Sequence, residues 1–432
     1  MERLIGYIGK NKKVHEWRHV AKKLSRYLEK EVHNSPVTEK VSHEVALEGK
    51  TYNLYFGDIH GHSDLSPDAF FFSPDHYYEY GRNKANLDFA SLTDHDAPWG
   101  LREHPERWQE NIEAGIKHYE PGRFVTFIGY EWTSGDGLVC FRHTMRRRDR
   151  WAYQKDPMHF GHRNIYFPSD NVPSEVFSID DERYNTPEKL WEALKPYGAI
   201  TIPHHTLGGP VFPFDWRYFN EEMEPVVEIY SRHGNSECEY GPHEIYNSYR
   251  NGKHSVKSPL DQGRHFGFIA SSDCHQGRPG NHTFPFLLIE WLNFFYRGKS
   301  KPPGPGLCAV YAEELTRESL FESIKARRVY AVTGARIILD VRADDHFMGA
   351  RFSAPAGKPV TFSISTVSSS PLERIEIIKN GTVVKTYNEP GLEFKADYRD
   401  DKRESDSDYI YIRVTRKDTH MAWSSPIRID AE

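Results

Sequence analysis

The chain has 432 residues, a formal net charge of −6 at pH 7 and a sequence pI of about 6.5. Hydrophobic residues make up 38% and aromatic residues 14%, enough for the cores of two or three domains, so disorder is excluded as the default state. The acidic balance argues against a protein whose main role is to coat nucleic acid. A local site on such a protein is still able to bind small anions.

The cysteines and the N-terminal stretch indicate the compartment. Four cysteines, at positions 140, 238, 274 and 308, show no C-x-x-C spacing, which favours a reducing environment over a disulfide framework. The stretch MERLIGYIGKNKKVHEWRHVAKK lacks the apolar run of a secretory signal, and no window approaches the ~20 apolar residues of a membrane span. We therefore expect a soluble, cytoplasmic protein with no membrane partner. The sequence leaves the oligomeric state open.

Three regions follow one another along the chain. Residues 1–50 form a predicted helical extension, in which apolar residues between positions 13 and 33 recur at helical spacing. Residues 51–334 alternate short apolar runs with helix-compatible segments, which predicts an α/β fold with parallel strands, in the manner of a β/α barrel. The predicted strands are YNLYFGDIH, LDFASLTDH, FVTFIGYEW, AITIPHH, VVEIY and FGFIASSDCH, and the predicted helices are Ser73–Ala85, His104–His118 and Pro187–Leu194.

Residues 335–432 differ from the rest in their pattern of apolar and polar residues. Alternating runs such as KPVTFSISTV and YIYIRVTRKD are typical of half-buried strands, and Asn380-Gly381 is a strong hairpin turn. This region therefore predicts a small C-terminal antiparallel β-sandwich of the immunoglobulin-like kind.

Histidine, aspartate and glutamate stand at the carboxyl end of one predicted strand after another. The stretch LYFGDIHGHSDLSPD opens the series with two histidines one residue apart, and SSDCH repeats the i, i+2 spacing near its end. Because alternate residues of a strand share a face, each spacing presents two ligand atoms to one point. The candidate metal ligands are His60, His62, Asp68, His95, Glu131, His162, His204, Asp273 and His275.

So many ionisable side chains at one end of the fold require positive charge to stabilise them. Ionisable groups brought together at one end of a barrel repel one another or lose their hydration at high cost. Divalent cations offset that cost, and mixed nitrogen and oxygen ligands suit zinc, manganese or iron. We therefore expect two or three such ions as cofactors, with Glu131 placed to bridge two of them.

The ordered series H-x-H, D-H, Glu, H-x-N, P-H and S-D-x-H resembles the PHP superfamily, the polymerase and histidinol phosphatase group of metal-dependent phosphoesterases. The phrases GYEWT, GHRNIYF, SSDCHQGRPG and RRVYAVTGARI also resemble an uncharacterised bacterial PHP-like subgroup with a C-terminal β-sandwich. The likeness covers roughly residues 52–334. It implies a distorted seven-stranded, TIM-like β/α barrel with a trinuclear metal site.

The resemblance also distributes the candidate ligands over three ions. The first would be held by His60, His62, Glu131 and Asp273, the second by Glu131, His162 and His204, and the third by Asp68, His95 and His275. Asp68 stands where some members have histidine, which implies a weaker third site or a different ion there. Asp58 and Asp94 would orient the imidazoles from behind.

Two ligand assignments stay open. His162 is favoured over His143, because HRNIYF resumes a strand-like pattern. His204 and His205 are adjacent and would face opposite sides of a strand. His204 is favoured as the ligand, which leaves His205 either packed in the core or reaching the substrate.

Three neighbouring features carry further expectations. Arg278 in GRPG is a candidate for binding a phosphate or carboxylate through two hydrogen bonds. The alternative is an arginine that only stabilises the loop. The run RHTMRRRDR at 142–150 is either a solvated loop or a surface that draws anions towards the site. Cys274, between two candidate ligands, is expected to be buried and inert.

The leading prediction for function is hydrolysis of a small anionic phosphate ester, with a hydroxide that bridges two metal ions as the nucleophile. Its predicted catalytic residues are Asp273, Arg278, which would stabilise charge on the phosphoryl oxygens, and His205, a proton donor to the leaving group. One alternative uses the same ions on a carboxylic ester, an amide or a lactone. Another is a non-catalytic, metal-stabilised protein whose sandwich recognises a partner. Nucleic acid is not favoured as a partner.

Overall fold

The structure is a computed structural model that describes residues 38–69, 72–97, 100–134, 160–208, 214–245, 252–281, 304–355, 357–401 and 406–432. The predicted helix between positions 13 and 33, the basic run 142–150 and His143 lie outside these residues. The helices described are α1 (Pro74–Asn83), α2 (Pro105–Lys117), α3 (Pro187–Leu194), α4 (Lys257–Asp261) and α5 (Arg317–Lys325), with a 3-10 turn at Lys195–Tyr197.

Strands dominate the described chain. Those before position 333 are β1 (Glu44–Leu47), β2 (Lys50–Asp58), β3 (Phe89–Ser91), β4 (Val125–Trp132), β5 (Arg163–Phe167), β6 (Ile200–Pro203), β7 (Val226–Ser231), β8 (Gly234–Asn235), β9 (Gly267–Ala270), β10 (Leu307–Ala312) and β11 (Val329–Val332). Those after it are β12 (Ile338–Ala343), β13 (His346–Phe347), β14 (Arg351–Ala354), β15 (Val360–Lys379), β16 (Thr382–Asp400), β17 (Ser407–Arg416), β18 (Met421–Ser424) and β19 (Ile427–Ala431).

Two of the described helices, α1 and α3, begin with a capping hydroxyl that is followed by proline. Ser73 Oγ accepts the backbone N–H of His76 at 3.3 Å at the start of α1, and Thr186 Oγ1 accepts that of Lys189 at 3.4 Å at the start of α3. Proline follows each cap, where its missing N–H costs no hydrogen bond. The predicted helices Ser73–Ala85, His104–His118 and Pro187–Leu194 are observed as α1, α2 and α3.

A 16-stranded mixed sheet runs through the described residues. Its longest path is β13-β12-β15-β17-β18-β11-β10-β2-β3-β4-β5-β6, with β1, β14, β16 and β19 paired alongside. Strands β2, β3 and β4 are parallel, whereas β10 is antiparallel to β2 and β5 is antiparallel to both β4 and β6. A second sheet has the order β8-β7-β9, in which β7 and β9 are parallel.

The predicted α/β architecture, a distorted seven-stranded TIM-like barrel followed by a separate small antiparallel β-sandwich, is wrong. Among the described residues, 40% lie in strands and 15% in helices, and the large sheet that they form is not closed. The prediction assumed that strands separated by a helix pair in parallel. Strands β5 and β6 flank α3, yet they are antiparallel. A helix between two strands does not by itself fix their relative direction, because direction is set by which backbone groups pair.

The C-terminal strands continue the same sheet as the N-terminal ones. Strand β18 pairs with β11, with Ala331 opposite Trp423, so the two regions share main-chain hydrogen bonds.

The hairpin turn predicted at Asn380-Gly381 is confirmed, since both residues have positive φ, 49° and 70°, between the antiparallel strands β15 and β16. The turn is a local signal, whereas the β11–β18 pairing joins residues distant in sequence. The region bounds 1–50, 51–334 and 335–432 stay a prediction.

An apolar core lies directly beneath the first candidate ligands. Ile59, next to His60, packs in a buried cluster with Phe127 and Ile202. Its carbonyl accepts the hydroxyl of Tyr166 at 2.5 Å, which fixes the backbone just before the first histidine. Among the described helices, none has the length and apolar character that a membrane span requires.

Candidate metal centre

Three groups of side chains lie close enough to hold metal ions, with ligand atoms in each group within 4.8 Å of one another. The groups are His60, His62 and Asp273; Glu131, His162, His204 and His205; and His62, Asp68, His95 and His275. The structure therefore brings together all nine predicted ligands, and His205 joins them. That these side chains bind metal stays a prediction.

The Glu131 carboxylate lies where the three groups meet. Glu131 belongs to β4 and is 1% exposed, and an isolated β-bridge to His95 holds the two neighbouring strand ends together. Each of its oxygens faces a different set of imidazoles. Oε1 lies 2.6 Å from His162 Nδ1 and 3.1 Å from His204 Nε2, while Oε2 lies 3.4 Å from His60 Nε2, 3.5 Å from His62 Nε2 and 3.5 Å from His95 Nδ1.

Two aspartates occupy the other sides of the centre. Asp273 Oδ1 lies 3.5 Å from His60 Nε2 and 3.3 Å from His62 Nε2. Asp68 Oδ2 lies 2.8 Å from His275 Nε2 and 3.3 Å from His95 Nε2. The side chain of Asp68 is 47% exposed, so the group that contains it is the one that opens to solvent.

Asp58 and Asp94 organise the loops rather than the imidazoles. Asp58 accepts the backbone N–H groups of Ser272 at 2.9 Å and Gly280 at 2.7 Å, and so fixes the segment that carries Asp273. Asp94 accepts both the N–H of Ser63, at 2.7 Å, and its hydroxyl, at 2.9 Å. The expectation that these two aspartates touch the rings is therefore replaced by backbone contacts that place the ligand-bearing loops.

Backbone conformation decides where two of the candidate side chains point. Asp273 has φ 53° and His205 has φ 33°, a region that residues other than glycine rarely adopt. Such strain is concentrated at functional sites. Because strand β6 ends at Pro203, His204 and His205 do not alternate as strand residues would. Their ring centroids lie 4.3 Å apart at an interplanar angle of 90°.

Three histidines of the centre, His60, His62 and His95, have a hydrogen-bonding partner on Nδ1. Nδ1 of His62 lies 3.2 Å from Ser66 Oγ, and Nδ1 of His95 lies 2.8 Å from Thr133 Oγ1. Nδ1 of His60 lies 2.9 Å from a carboxylate oxygen of Glu228. A partner of this kind fixes which nitrogen is left to bind a metal.

Sequence reasoning missed two residues of the centre, Glu228 and His233. Glu228 lies within VVEIY, where a carboxylate inside an apolar strand was a signal that a buried partner exists. His233 Nε2 lies 2.8 Å from Asp273 Oδ2, on the side of the carboxylate away from His60 and His62. Nothing in the loop sequence SRHGN distinguishes His233 from a surface histidine.

Protonation in the cluster is uneven, because burial and charge act in opposite directions. Burial raises the pKa of the Glu131 carboxyl, but His95 and His204 outweigh it and hold that pKa well below its usual range. Burial lowers the pKa of His95, but Glu131 and Asp68 raise it to about 10. Burial, reinforced by His275 and His95, lowers the pKa of His62 to about 4. The centre therefore combines neutral imidazoles, such as that of His62, with a positively charged His95 and ionised carboxylates, and a metal ion bound to His95 would displace its proton.

The residues present fit divalent cations. Nε2 of His60 and Nε2 of His62 are buried and have no hydrogen-bond partner within the described part of the chain. Both nitrogens face carboxylate oxygens of Glu131 and Asp273 at 3.3 to 3.5 Å. Buried polar atoms are normally paired, and imidazole nitrogen with carboxylate oxygen is the donor set of zinc, manganese and iron.

Arg278 contacts helix α1, and Cys274 stands in the chain between the candidate ligands Asp273 and His275. Arg278 is 5% exposed and packs with its guanidinium 6.0 Å from the ring centre of Tyr80 on α1. Cys274 is 3% exposed, and burial raises the pKa of its thiol to about 12. The expectation that Cys274 is buried and held as an unreactive thiol agrees with this environment.

The fold and the site together define a mostly β protein with a buried centre of histidines and carboxylates suited to metal ions. A family model described as "Protein of unknown function (DUF3604)" matches residues 77–245 and 294–383, and the chain belongs to this family.

Similar proteins occur in chlamydiae. An uncharacterized protein of Chlamydia pneumoniae is 25% identical over 397 residues, and one of Chlamydia trachomatis is 30% identical over 398 residues. Each alignment covers 88% of this chain, and it spans 57% and 58%, respectively, of the relatives' length.

Two solved structures show weaker likeness. A two-domain protein of Bacteroides vulgatus, described as containing a predicted PHP-like metal-dependent phosphoesterase, aligns over 90% of this chain and 99% of its own, with 15% identity and a TM-score of 0.45. A fibronectin(III)-like module of Clostridium thermocellum covers 19% of this chain and 87% of its own, with 15% identity and a TM-score of 0.15. Neither TM-score is high enough to establish a shared fold.

Proposed function

We propose that this protein is a metal-dependent hydrolase that cleaves phosphate esters. The observation that carries the proposal is the position of Glu131, whose two oxygens face separate sets of imidazoles within a buried centre. A carboxylate so placed is suited to bridge two cations. Adjacent pairs of metal ions of this kind recur in enzymes that displace groups at phosphorus.

The ions would be held by the side chains that the sequence singled out. His60, His62 and Asp273 would bind the first ion and His162 with His204 the second, with Glu131 shared between them. Asp68, His95 and His275 would bind a third. Bound divalent ions supply acidified water at neutral pH and stabilise negative charge on phosphoryl oxygens.

The chain's own residues would prepare the centre for that chemistry. His60, His62 and Glu131 are at most 1% exposed, so bulk water is kept from the inner side of the site. The more exposed Asp68 marks the side from which a small anionic substrate would enter. Arg278 is proposed to bind a phosphoryl oxygen and His205 to give a proton to the leaving oxygen.

A substrate panel tests the reaction class. The protein is assayed with p-nitrophenyl phosphate and other phosphomonoesters, beside p-nitrophenyl acetate and a set of lactones, before and after dialysis against a chelator. We expect phosphomonoester hydrolysis that disappears with the metal and returns with manganese or zinc. Turnover of the carboxylic esters or lactones alone would assign the other hydrolase class. Full activity in protein shown by elemental analysis to be metal-free would overturn the proposal.

Two variants make the test specific to the site. Glu131→Gln removes the shared negative charge and should abolish both metal retention and phosphomonoester hydrolysis. Glu376→Gln is the matched control, since Glu376 is a buried carboxylate in the C-terminal strands that accepts from Arg374 and Arg413. It should leave activity and metal content unchanged.

A further inference from the structure

Glu228 is a buried carboxylate that touches the centre without belonging to any of the three groups. We propose that Glu228 is a positioning residue that fixes the ring orientation and tautomer of His60 and thereby sets how tightly the first ion is held. The proposal rests on the metal-binding part of the proposed function and adds a determinant of affinity to it.

The contact is short and fully enclosed. His60 Nδ1 lies 2.9 Å from Glu228 Oε2, and the side chains are 0% and 1% exposed. A carboxylate oxygen accepts, so Nδ1 carries the hydrogen and donates it. Nε2 is then the nitrogen with a free lone pair, and it is the atom that faces Glu131 and Asp273.

Glu228 reaches His60 from the other sheet of the protein. It belongs to β7 in the three-stranded sheet, whereas His60 follows β2 in the large sheet. Within the small sheet, Glu228 is in register with Ile269 on β9, and the chain leaves β9 to reach Asp273. The small sheet thus supplies a carboxylate to each side of the His60 ring, one on Nδ1 and one near Nε2.

A purely structural role explains Glu228 poorly. Its second oxygen, Oε1, is buried and has no hydrogen-bond partner within the described residues. A buried carboxylate with an unpaired oxygen costs free energy that an apolar side chain of similar size would avoid. The arrangement is accounted for when the carboxylate acts on the imidazole, because such partners raise the basicity of a metal-binding histidine and lock its orientation.

The neighbouring histidines show what is particular to His60. His62 and His95 have hydroxyl partners on Nδ1, from Ser66 and Thr133. A hydroxyl orients a ring but adds no charge. The Glu228 carboxylate both orients the ring of His60 and adds negative charge beside it. Charge and orientation can therefore be separated at this position by substitution.

The test is zinc affinity, measured by competition with a chromophoric chelator on purified, metal-stripped protein. Glu228→Leu removes the acceptor and should weaken the tightest zinc site by about 10- to 100-fold, the usual effect of losing such a partner. Glu228→Gln keeps an acceptor oxygen without the charge and should weaken the site by a smaller factor. Glu376→Gln should bind zinc as the wild type does, and His60→Ala should lose the site.

A second readout does not depend on metal. Long-range 1H–15N NMR of metal-free protein reports which nitrogen of His60 carries the hydrogen, with His60→Ala used to assign the signal. Burial lowers the pKa of His60, but Glu228 and Asp273 raise it well above its usual range, so the spectra are recorded at a pH at which the ring is neutral. We expect the Nδ1–H form in the wild type and a mixture of tautomers in Glu228→Leu. If Glu228→Leu does not fold, Glu228→Gln decides by its zinc affinity, which must fall below that of Glu376→Gln.

The outcomes separate the two proposals. Zinc affinity within twofold of the wild type in both Glu228 variants, together with loss of the site in His60→Ala, would overturn the role of Glu228 and leave the metal centre standing. Unchanged zinc binding in His60→Ala would overturn the metal centre itself.

Discussion

Two buried polar clusters of this protein contain a glutamate at their centre, and they differ in how that glutamate is satisfied. Glu237 is 2% exposed and accepts hydrogen bonds from Tyr411 at 2.6 Å, Arg413 at 2.8 Å and Trp423 at 2.8 Å. Glu131 is 1% exposed and is surrounded by imidazoles, some of whose buried nitrogens have no hydrogen-bond partner in the described chain. In the first cluster the carboxylate has hydrogen-bond donors from the protein alone. In the second, buried ring nitrogens are left that metal ions would bind.

The difference separates a structural polar cluster from the candidate metal centre. The Glu237 cluster neutralises its charge with Arg413 and joins the loop after β8 to the C-terminal strands β17 and β18. The Glu131 cluster gathers several carboxylates with histidines, two of which, His62 and His204, have pKa values lowered to about 4 and about 3, chiefly by burial. Neutral imidazoles do not balance ionised carboxylates, so the positive charge in the second cluster comes from protonated His95, whose proton a bound metal ion would replace.

The largest expected effect comes from the Glu131 cluster. Glu131→Gln should lower the rate of phosphomonoester hydrolysis by roughly 10⁴-fold, about 5 kcal/mol of transition-state stabilisation, because the shared negative charge is lost. Initial rates and metal content per chain are the measurements. A variant that keeps its metal and stays within tenfold of the wild-type rate would show that Glu131 does not bridge ions.

The next effect should appear in stability alone. Glu237→Ala leaves Arg413 with Glu376 as its remaining carboxylate partner, 2.9 Å away, and leaves the Trp423 and Tyr411 donors without an acceptor. Removing one partner of a buried pair costs about 3 kcal/mol or more in the free energy of unfolding, which denaturant titration measures. Metal content should not change. A loss of metal instead would mean that the two clusters are not separate.

A third, smaller effect should distinguish the clusters by their response to a chelator. Ions that bind only the folded state stabilise it, by about 2.7 kcal/mol when the free ion is at 100 times its dissociation constant. Wild type and Glu237→Ala should therefore lose a similar increment of stability on chelation, whereas Glu131→Gln should lose little. Equal losses in all three proteins would place the stabilising ion elsewhere.

The smallest effect concerns a buried histidine outside both clusters. His265 donates from Nε2 to the carbonyl of Gly349 at 3.0 Å, and burial, reinforced by Arg327 and Arg428, lowers its pKa to about 3. In the unfolded chain His265 becomes protonated below about pH 6.5, whereas in the folded chain it stays neutral. The free energy of unfolding therefore falls as the pH falls below about 6.5.

Between pH 7 and pH 5 the contribution of His265 amounts to about 2 kcal/mol. His265→Gln keeps a donor for Gly349 and removes the titration. The variant should lose less stability than the wild type over this range in denaturant titrations at fixed salt. An unchanged pH dependence would show that His265 is protonated in the folded protein or titrates normally.

Much of the centre was visible in the sequence because its signals are local. A histidine pair such as His60 and His62, or Asp273 with His275, follows an apolar run that forms a strand, and both features lie within a few residues. Residues of ligand chemistry at strand ends can be recognised without knowing which strands are neighbours. The same locality made the Asn380-Gly381 hairpin and the first helices predictable.

Residues that act through contacts distant in sequence were not visible. Glu228 reaches His60 across 168 positions, from one sheet to the other, and VVEIY does not say what its carboxylate touches. The backbone of His205, with φ 33°, brings two adjacent rings into one group, contrary to the alternation expected of a strand. Neither fact follows from residue type or periodicity.

The sequence by itself determined which residues carry ligand chemistry and where several strands and helices lie, since caps, turns and apolar runs act over a few neighbouring residues. Only the tertiary structure decided that the strands form an open mixed sheet, that β18 of the C-terminal region pairs with β11, and that a second sheet presents Glu228 to His60. The physical reason is that strand pairing and burial are relations between distant segments. Backbone hydrogen bonds are chemically alike at every position, so local sequence does not encode which edge each strand will join.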